Sequence, residues 1–483
     1  MLCLSPSNYR FQVVILICLS LAGCITLSSE ESFNQVADTV QHRLGKQISW
    51  DAGQFEDPLV RATIGKLLSR SLTPERTVQI ALLNNRELQS NYADLGIAQA
   101  NVVQATLWKN PSINGTVTFP FAGGAPDYIF TFALRVIDIL YIPLRERVAE
   151  SQLEETKFHV TAQVMSVAAQ TYLAFIDYLG ERQRVGVLTL AVESAKAIVE
   201  SGKALRKPGN ITDYDFEAEV ALQTEVAAEL ARAQISAAQA RERVNRLLGL
   251  TDVQTQWRSA DQLPPVSASD PPIAHLERKA IEASVDLAGV RQRLITLGRK
   301  YQVVDITSLL PRFDIGGELE RDVGENEAGP VFAVQVPLFD WGQARRESAR
   351  MQILEVRDHF TALAIRIRSL ARLQQAKLLN ARQTALYYAD TVIPQSQRLL
   401  DAALRQSNVM QIGVFQLLQA KERQIRVSLE YVSALTTYWR ERTRFAQILN
   451  GKLPDEMDGG AGVPSAASIT SEANRLIPSG TQP

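Results

Sequence analysis

The sequence predicts a mostly α chain with a small β part, arranged as two structural repeats of long α-helical hairpins plus two-stranded β-hairpins. Three observations predict it. Residues 144–207 and 342–407 hold no proline apart from Pro394 and are dominated by alanine, glutamine, arginine, glutamate and leucine. Short stretches of period-two alternation precede both. The chain also matches itself at a shift of 200 residues.

At that shift Phe132, Ala133, Val136, Arg145, Ala149, Gln152, Glu155, His159, Thr161 and Ala162 fall on Phe332, Ala333, Val336, Arg345, Ala349, Gln352, Glu355, His359, Thr361 and Ala362. Chance composition would give roughly two identities over such a stretch. Pro111 falls on Pro311 at the same shift, and Leu248 on Leu449 one residue later. The chain therefore divides into repeat 1 (73–250), a Pro/Ser/Asp-rich linker (251–272) and repeat 2 (273–451). A leader (1–23), an N-terminal segment (24–72) and a Gly/Ser/Pro-rich tail (452–483), expected to be disordered, complete it.

The leader reads as a secretory signal peptide. Residues 11–21 form a mainly apolar run after Arg10, too short for the ~20 residues a spanning helix needs. The run ends in Leu21-Ala22-Gly23-Cys24, which resembles a bacterial lipobox, so Cys24 is the expected acylation site. Ile25, in place of an aspartate, implies sorting to the outer membrane. The cysteines are Cys3, Cys18 and Cys24, so a mature chain acylated at Cys24 keeps no free thiol for a disulfide or for catalysis. A net charge of −1 leaves no electrostatic footprint for nucleic acid.

Within each repeat the order is helix, two strands, very long helix, turn and returning helix. Thr73-Pro74-Glu75 supplies a cap and a proline at the first helical position, and that helix is expected to run to about Trp108. Its counterpart spans about 273–307. The strands are expected at 112–119 and 129–137, then at 312–320 and 331–336, with turn-rich loops at 120–127 and 321–329 between them. Each long helix of sixty-odd residues would span ~90 Å. The first reverses at Lys207-Pro208-Gly209-Asn210 and returns over 211–250; the second reverses near Val409-Met410-Gln411 and returns over 412–450.

The strands place Phe130, Phe132, Leu134, Phe332, Val334 and Val336 on one face and small or polar residues, Arg135 and Gln335 among them, on the other. In lipid a strand survives only in a closed barrel, and four strands cannot close one. Several copies must then contribute to a single barrel, whose lumen Arg135 and Gln335 would line.

Gly329-Pro330-Val331-Phe332, followed by Val336-Pro337-Leu338-Phe339-Asp340-Trp341-Gly342-Gln343-Ala344-Arg345, resembles the signature of TolC-like outer-membrane efflux proteins. Asn84-Asn85-Arg86-Glu87-Leu88 resembles the family's first-helix stretch. Gly209-Asn210-Ile211-Thr212 resembles its first hairpin turn, and Leu417-Leu418-Gln419-Ala420 its second return helix. The resemblance covers about residues 70–452. It implies a homotrimer forming a trimeric α-barrel and a 12-stranded outer-membrane β-barrel, held in outer-membrane lipid. A periplasmic adaptor and an inner-membrane pump would be its partners, in efflux or type I secretion.

The resemblance also implies a periplasmic tip that acts as gate and adaptor contact, formed by Pro208, Gly209, Asn210, Asp215, Val409, Met410, Gln411, Gln416 and Gln419. Gln416 and Gln419 stand where some members carry a ring of aspartates. Repeat 1 departs from the signature, reading Ile137-Asp138-Ile139-Leu140-Tyr141-Ile142.

No phosphate-binding G-x-x-x-x-G-K-[ST], zinc H-E-x-x-H or nucleophile G-x-S-x-G pattern occurs. His159 and His359 are repeat equivalents expected to pack or line a tunnel, Glu154-Glu155 is expected on a solvated face, and the methionines are scattered. The expectation is a channel subunit that needs no cofactor, with no catalytic or metal residue. The alternative is a periplasmic adaptor-type lipoprotein, but that would show one hairpin among lipoyl-like β segments rather than two equal halves.

Overall fold

The computed structural model describes residues 29–51, 58–119, 121, 123, 126–207, 209–270, 274–309, 313–322 and 325–454. Two short helices, α1 (Glu30–Leu44) and α2 (Pro58–Leu68), come first. Repeat 1 is α3 (Pro74–Asn84), α4 (Arg86–Thr106), β1 (Ser112–Thr118), β2 (Asp127–Arg135), α5 (Ile137–Arg206) and α6 (Asp213–Leu248). Repeat 2 is α7 (Leu276–Ala283), α8 (Val285–Leu309), β3 (Phe313–Asp322), β4 (Glu325–Val334), α9 (Gln343–Tyr387), a π-helical turn (Tyr388–Val392), α10 (Ile393–Asn408) and α11 (Val414–Leu449).

Both halves follow the expected plan, but several boundaries differ. The helix expected to run unbroken to Trp108 is two helices. Thr73 caps the first, its Oγ1 accepting from the Arg76 N–H at 3.3 Å. At Asn85 the backbone turns extended (ψ 119°), and the side-chain Oδ1 accepts from the Leu88 N–H at 3.0 Å, capping a new start. Ser284 does the same in repeat 2, accepting from the Leu287 N–H at 3.1 Å.

The second long helix is also interrupted. Pro394 cannot donate to the helical ladder, and the turn before it, Tyr388–Val392, widens to the π form. In contrast α5 starts earlier than expected and takes Pro143 into its second turn. Strands β2 and β4 end two residues earlier than the alternation suggested. β3 and β4 instead run on through most of the expected 321–329 loop, where Arg321 pairs with Asn326 and Asp322 with Glu325. Ladder hydrogen bonds hold these polar residues extended, where the turn-rich composition predicts a loop.

At 70 residues α5 spans about 105 Å. It runs from the sheet to the first reversal, whereas α6 returns only about half that distance and ends near the middle of the molecule. There lies the main core, built from Phe175, Tyr178, Leu248, Trp257, Tyr438 and Phe445 among others. The linker is an ordered part of it. Trp257 is buried, donates to Asn245 Oδ1 at 2.8 Å and carries the Arg241 guanidinium 4.2 Å above its ring. Asp270 accepts from Arg382 at 2.7 Å and from the Tyr438 hydroxyl at 2.9 Å. The start of the expected disordered tail is ordered as well, since the Leu453 N–H donates to Asp286 at 3.0 Å. Residues 455–483 lie outside the described residues.

Asn84 and Asn85 tie α3 to the end of α6. Asn84 Nδ2 donates to the carbonyls of Leu248 (2.8 Å) and Gly249 (3.0 Å), and Asn85 Nδ2 to that of Leu247 (2.8 Å). Replacing Asn85 by Ala removes the cap and leaves a carbonyl short of its donor, a loss of about 2 kcal/mol. Asn85→Ser, which keeps a capping oxygen, should lose roughly half as much. Thermal unfolding of the solubilised protein checks this, and equal losses in both variants would remove the cap from the explanation.

Candidate functional site

Two regions carry the residues singled out from the sequence, the sheet at one end of the long helices and the reversals at the other. The sheet is antiparallel, in the order β1-β2-β3-β4, so β1 and β4 are its open edges. The register sorts its side chains cleanly. Ile113 pairs with Phe132, Phe132 with Gly317, Leu134 with Ile315, and Ile315 with Phe332, all on one face. That face is apolar and uncovered: Phe332 is 63% and Val334 62% exposed. Such a face is costly in water, at about 25 cal/mol per Å² of apolar surface.

The opposite face carries Asp127, Asp314, Glu318, Glu320, Glu325 and Glu327. Arg135 is the cation of that face. Its guanidinium lies 3.5 Å from Asp314 and 3.7 Å from Asp138, which also pairs with Lys109 at 2.8 Å. Gln335 stands one residue beyond β4 at the same rim and is exposed. Glycine permits two close approaches. A Cβ on Gly115 would lie 2.8 Å from the Phe130 ring, and one on Gly316 would lie 1.9 Å from the Phe132 carbonyl oxygen.

At the first reversal Gly209 adopts a φ of 79° with nothing around it. Its N–H donates to Arg206 O at 3.0 Å, and the Asn210 N–H to Leu205 O at 3.0 Å. Thr212 then caps α6, accepting from the Asp215 N–H at 3.1 Å while its hydroxyl donates to the Asp215 carboxylate at 2.7 Å. At the second reversal Val409 and Met410 are exposed, Met410 by 93%, and Met410 has a φ of 59°. The Met410 and Gln411 N–H groups close the turn on Ser407 and Gln406. Gln416 and Gln419 lie exposed on the first turns of α11.

Leu418 packs with Leu188 and Leu222, which brings both reversals to the same end of the molecule. Cys24 and Pro208 lie outside the described residues.

A further residue near the first reversal is Glu219. It is 2% exposed, its Oε2 has no hydrogen-bond partner, and it lies over Gly202, where a Cβ would be 2.0 Å from that oxygen. Burial, with the nearby Asp215, pushes its carboxyl above the usual carboxylate range. The spacing of Phe216, Glu219, Leu222 and Val226 on one helical face, with an acid at a core position, is the sequence signal for it.

Higher up, Glu155 is not on a solvated face as expected. It lies against Arg293, Lys300 and Thr296, and burial raises its pKa while lowering that of Lys300. His159 sits in a packing position, where burial lowers its pKa. Among the described residues no cluster of three or more His, Cys, Asp or Glu is arranged to hold a metal, and no helix is long and apolar enough to cross a membrane.

No family model matches the chain. It is 22% identical over 394 residues to the cobalt-zinc-cadmium resistance protein CzcC of Cupriavidus metallidurans, covering 78% of this chain and 90% of that protein. Among solved structures it superposes on the CmeC outer membrane channel of Campylobacter jejuni with a TM-score of 0.64 at 15% identity, covering 79% of this chain and 86% of that one. The open-state MtrE outer membrane channel of Neisseria gonorrhoeae gives 0.65 at 14% identity, covering 79% and 89%. The proteins it resembles in fold are channels rather than enzymes.

Proposed function

The chain has the fold of the TolC-like outer-membrane channels, and from that premise we propose that it is a subunit of an outer-membrane efflux conduit. It catalyses nothing, and it works with a periplasmic adaptor and an inner-membrane pump. The observation that carries this reading is the sheet, which bares an apolar face and two open edges at one end of helices about 100 Å long. Backbone groups on an open edge have no partner in lipid, and four strands are too few to seal a barrel. Three copies supply twelve strands, with β1 of one copy pairing with β4 of the next. The apolar face then meets lipid, and the acidic face with Arg135 lines the lumen. In mild detergent the protein should be a trimer by native mass spectrometry, and a stable folded monomer would overturn the reading.

Acylation of Cys24 fits the same placement. Ser32 Oγ donates to Gln99 at 3.3 Å, so the start of α1 lies about 10 Å along α4 from the end leading into β1. The five residue-to-residue steps from Cys24 to Ser29 reach at most about 17 Å. A lipid on Cys24 can therefore enter the bilayer at the helix-side rim of the sheet. Cys24→Ser should abolish labelling by radioactive palmitate, and persistent labelling would exclude Cys24 as the acylated residue.

With the sheet in the outer membrane, the reversals at Gly209 and Met410 face the inner membrane, and there we place the gate and the adaptor contact. Small shifts of packed helices suffice to open such an end. Bulky replacements of Gly209 and Met410 should impair efflux, measured as substrate accumulation in cells, while trimer assembly is retained. Unchanged efflux together with wild-type adaptor crosslinking would move the docking surface elsewhere.

A further inference from the structure

Residues directly opposite one another in a sheet share a face, so the register places Val117, Tyr128, Arg321 and Asn326 in one row of the apolar face. This row lies at the end of the sheet away from the helices, since β1 starts at Ser112 and β2 leaves toward α5 at Arg135. Every row nearer the helices is apolar or glycine, from Phe130–Leu319–Ala328 to Phe313–Val334. Among the described residues Arg321 is the only lysine or arginine on that face. A guanidinium is costly at the middle of a bilayer and tolerated near its surface, so Arg321 belongs at the headgroups.

The surroundings of Arg321 hold it ready for an anion. Tyr128 and Asn326 stand on the strands either side of it, and the Tyr128 hydroxyl donates to Asn326 Oδ1 at 3.0 Å. This bridge spans the position of Arg321. The Arg321 Nε is shut off from solvent and bonds to nothing, and among the described residues no carboxylate pairs with the guanidinium. Glu318, Glu320, Glu325 and Glu327 all lie on the opposite face. The two terminal amino groups are therefore the free end, a planar fork that matches two oxygens of a phosphate.

Two rows toward the helices, about 13 Å along the strand, the apolar face dips over Gly317. Phe130, Phe132, Leu319, Ala328 and Pro330 wall this trough. A Cβ on Gly317 would meet nothing nearer than the Gly329 carbonyl oxygen at 3.8 Å, so the sheet itself does not require glycine there.

We propose, resting on the channel reading above, that these features form a binding site for a phosphorylated lipid of the outer leaflet. The Arg321 fork takes a phosphate of the headgroup, and one acyl chain descends past Ala328 into the trough over Gly317. The fork selects the phosphate, and the trough selects a lipid over the free anion.

The full chain, purified in mild detergent, is titrated with diphosphoryl lipid A, and the lipid-bound oligomer is counted by native mass spectrometry. Wild-type protein should retain the lipid, and Arg321→Gln should weaken its binding about tenfold or more. Arg321→Lys keeps the charge without the fork and should recover only part of that loss. Gly317→Leu fills the trough and should weaken binding severalfold with Arg321 in place. Inorganic phosphate in excess should not displace the lipid. All three variants should assemble as wild type does, because neither position pairs its side chain with another group of the sheet.

Equal binding by wild-type protein and Arg321→Gln, or by lipid A with and without its phosphates, would overturn the phosphate contact. Wild-type binding by Gly317→Leu would overturn the trough, and displacement by inorganic phosphate would make the ligand the free anion. A wild-type trimer that holds no lipid A would overturn the proposal and leave the channel reading standing, whereas a stable folded monomer would overturn both.

Discussion

The molecule turns on two glycines at its middle. Gly249 follows α6 with a φ of 64°, and a Cβ there would lie 2.6 Å from the carbonyl oxygen of Asn84. Gly451 follows α11 with a φ of 100°, and a Cβ there would lie 2.0 Å from the carbonyl oxygen of Ala283. In each repeat the end of the returning helix is thus pressed against the backbone where the first helix breaks. Only glycine tolerates both the left-handed backbone and the approach. Arg43 closes the second joint, donating to Ala283 O at 2.6 Å and Asn450 O at 2.8 Å. The long helices pass these joints on their way from sheet to reversals, so the joints fix where each short helix stops alongside them.

The sheet depends on a second constraint, its register. One face is mainly apolar and the other carries the acids, and a slip of one residue would exchange them. Three features hold the β2–β3 pairing in place. Gly316 admits the Phe132 carbonyl, Thr131 donates to Glu318 at 2.9 Å, and Arg135 meets Asp314 across the same strand pair. Each lies at β2–β3, the seam between the two repeats. The joint between the halves is therefore pinned at β2–β3 by side-chain contacts and one close backbone approach.

Much of this plan was legible in the sequence because it rests on local patterns. Period-two alternation around Phe132 and Phe332 marked the strands and their faces, and the 200-residue self-match marked the two halves. The breaks at Asn85 and Ser284 were hidden because apolar periodicity runs on across them; the cap residues were present, but a cap is recognised only where a helix is known to start. The outer part of β3 and β4 reads as loop in the sequence because residues 321–329 look like solvated turn residues, yet the ladder takes in Arg321, Asp322 and residues 325–329. Glu155 read as surface because the helix that covers it, α8, lies well over a hundred residues away in the chain.

The reversals show where the two repeats have stopped being equivalent. Gly209 enters the left-handed region at no steric penalty. Met410 enters it at about 1–2 kcal/mol, and it also holds an apolar side chain 93% exposed. Neither feature helps the chain fold, and glycine at that position would relieve both. Local rules of this kind are broken where a surface serves something other than stability. The same contrast separates the neighbouring helices, since Glu219 is buried without a partner beside the first reversal while Gln416 and Gln419 stand in water beside the second. A symmetric plan therefore ends in two chemically distinct tips, one relaxed over a buried acid and one strained around an exposed methionine. A partner that docks on this end meets two different surfaces from each copy of the chain.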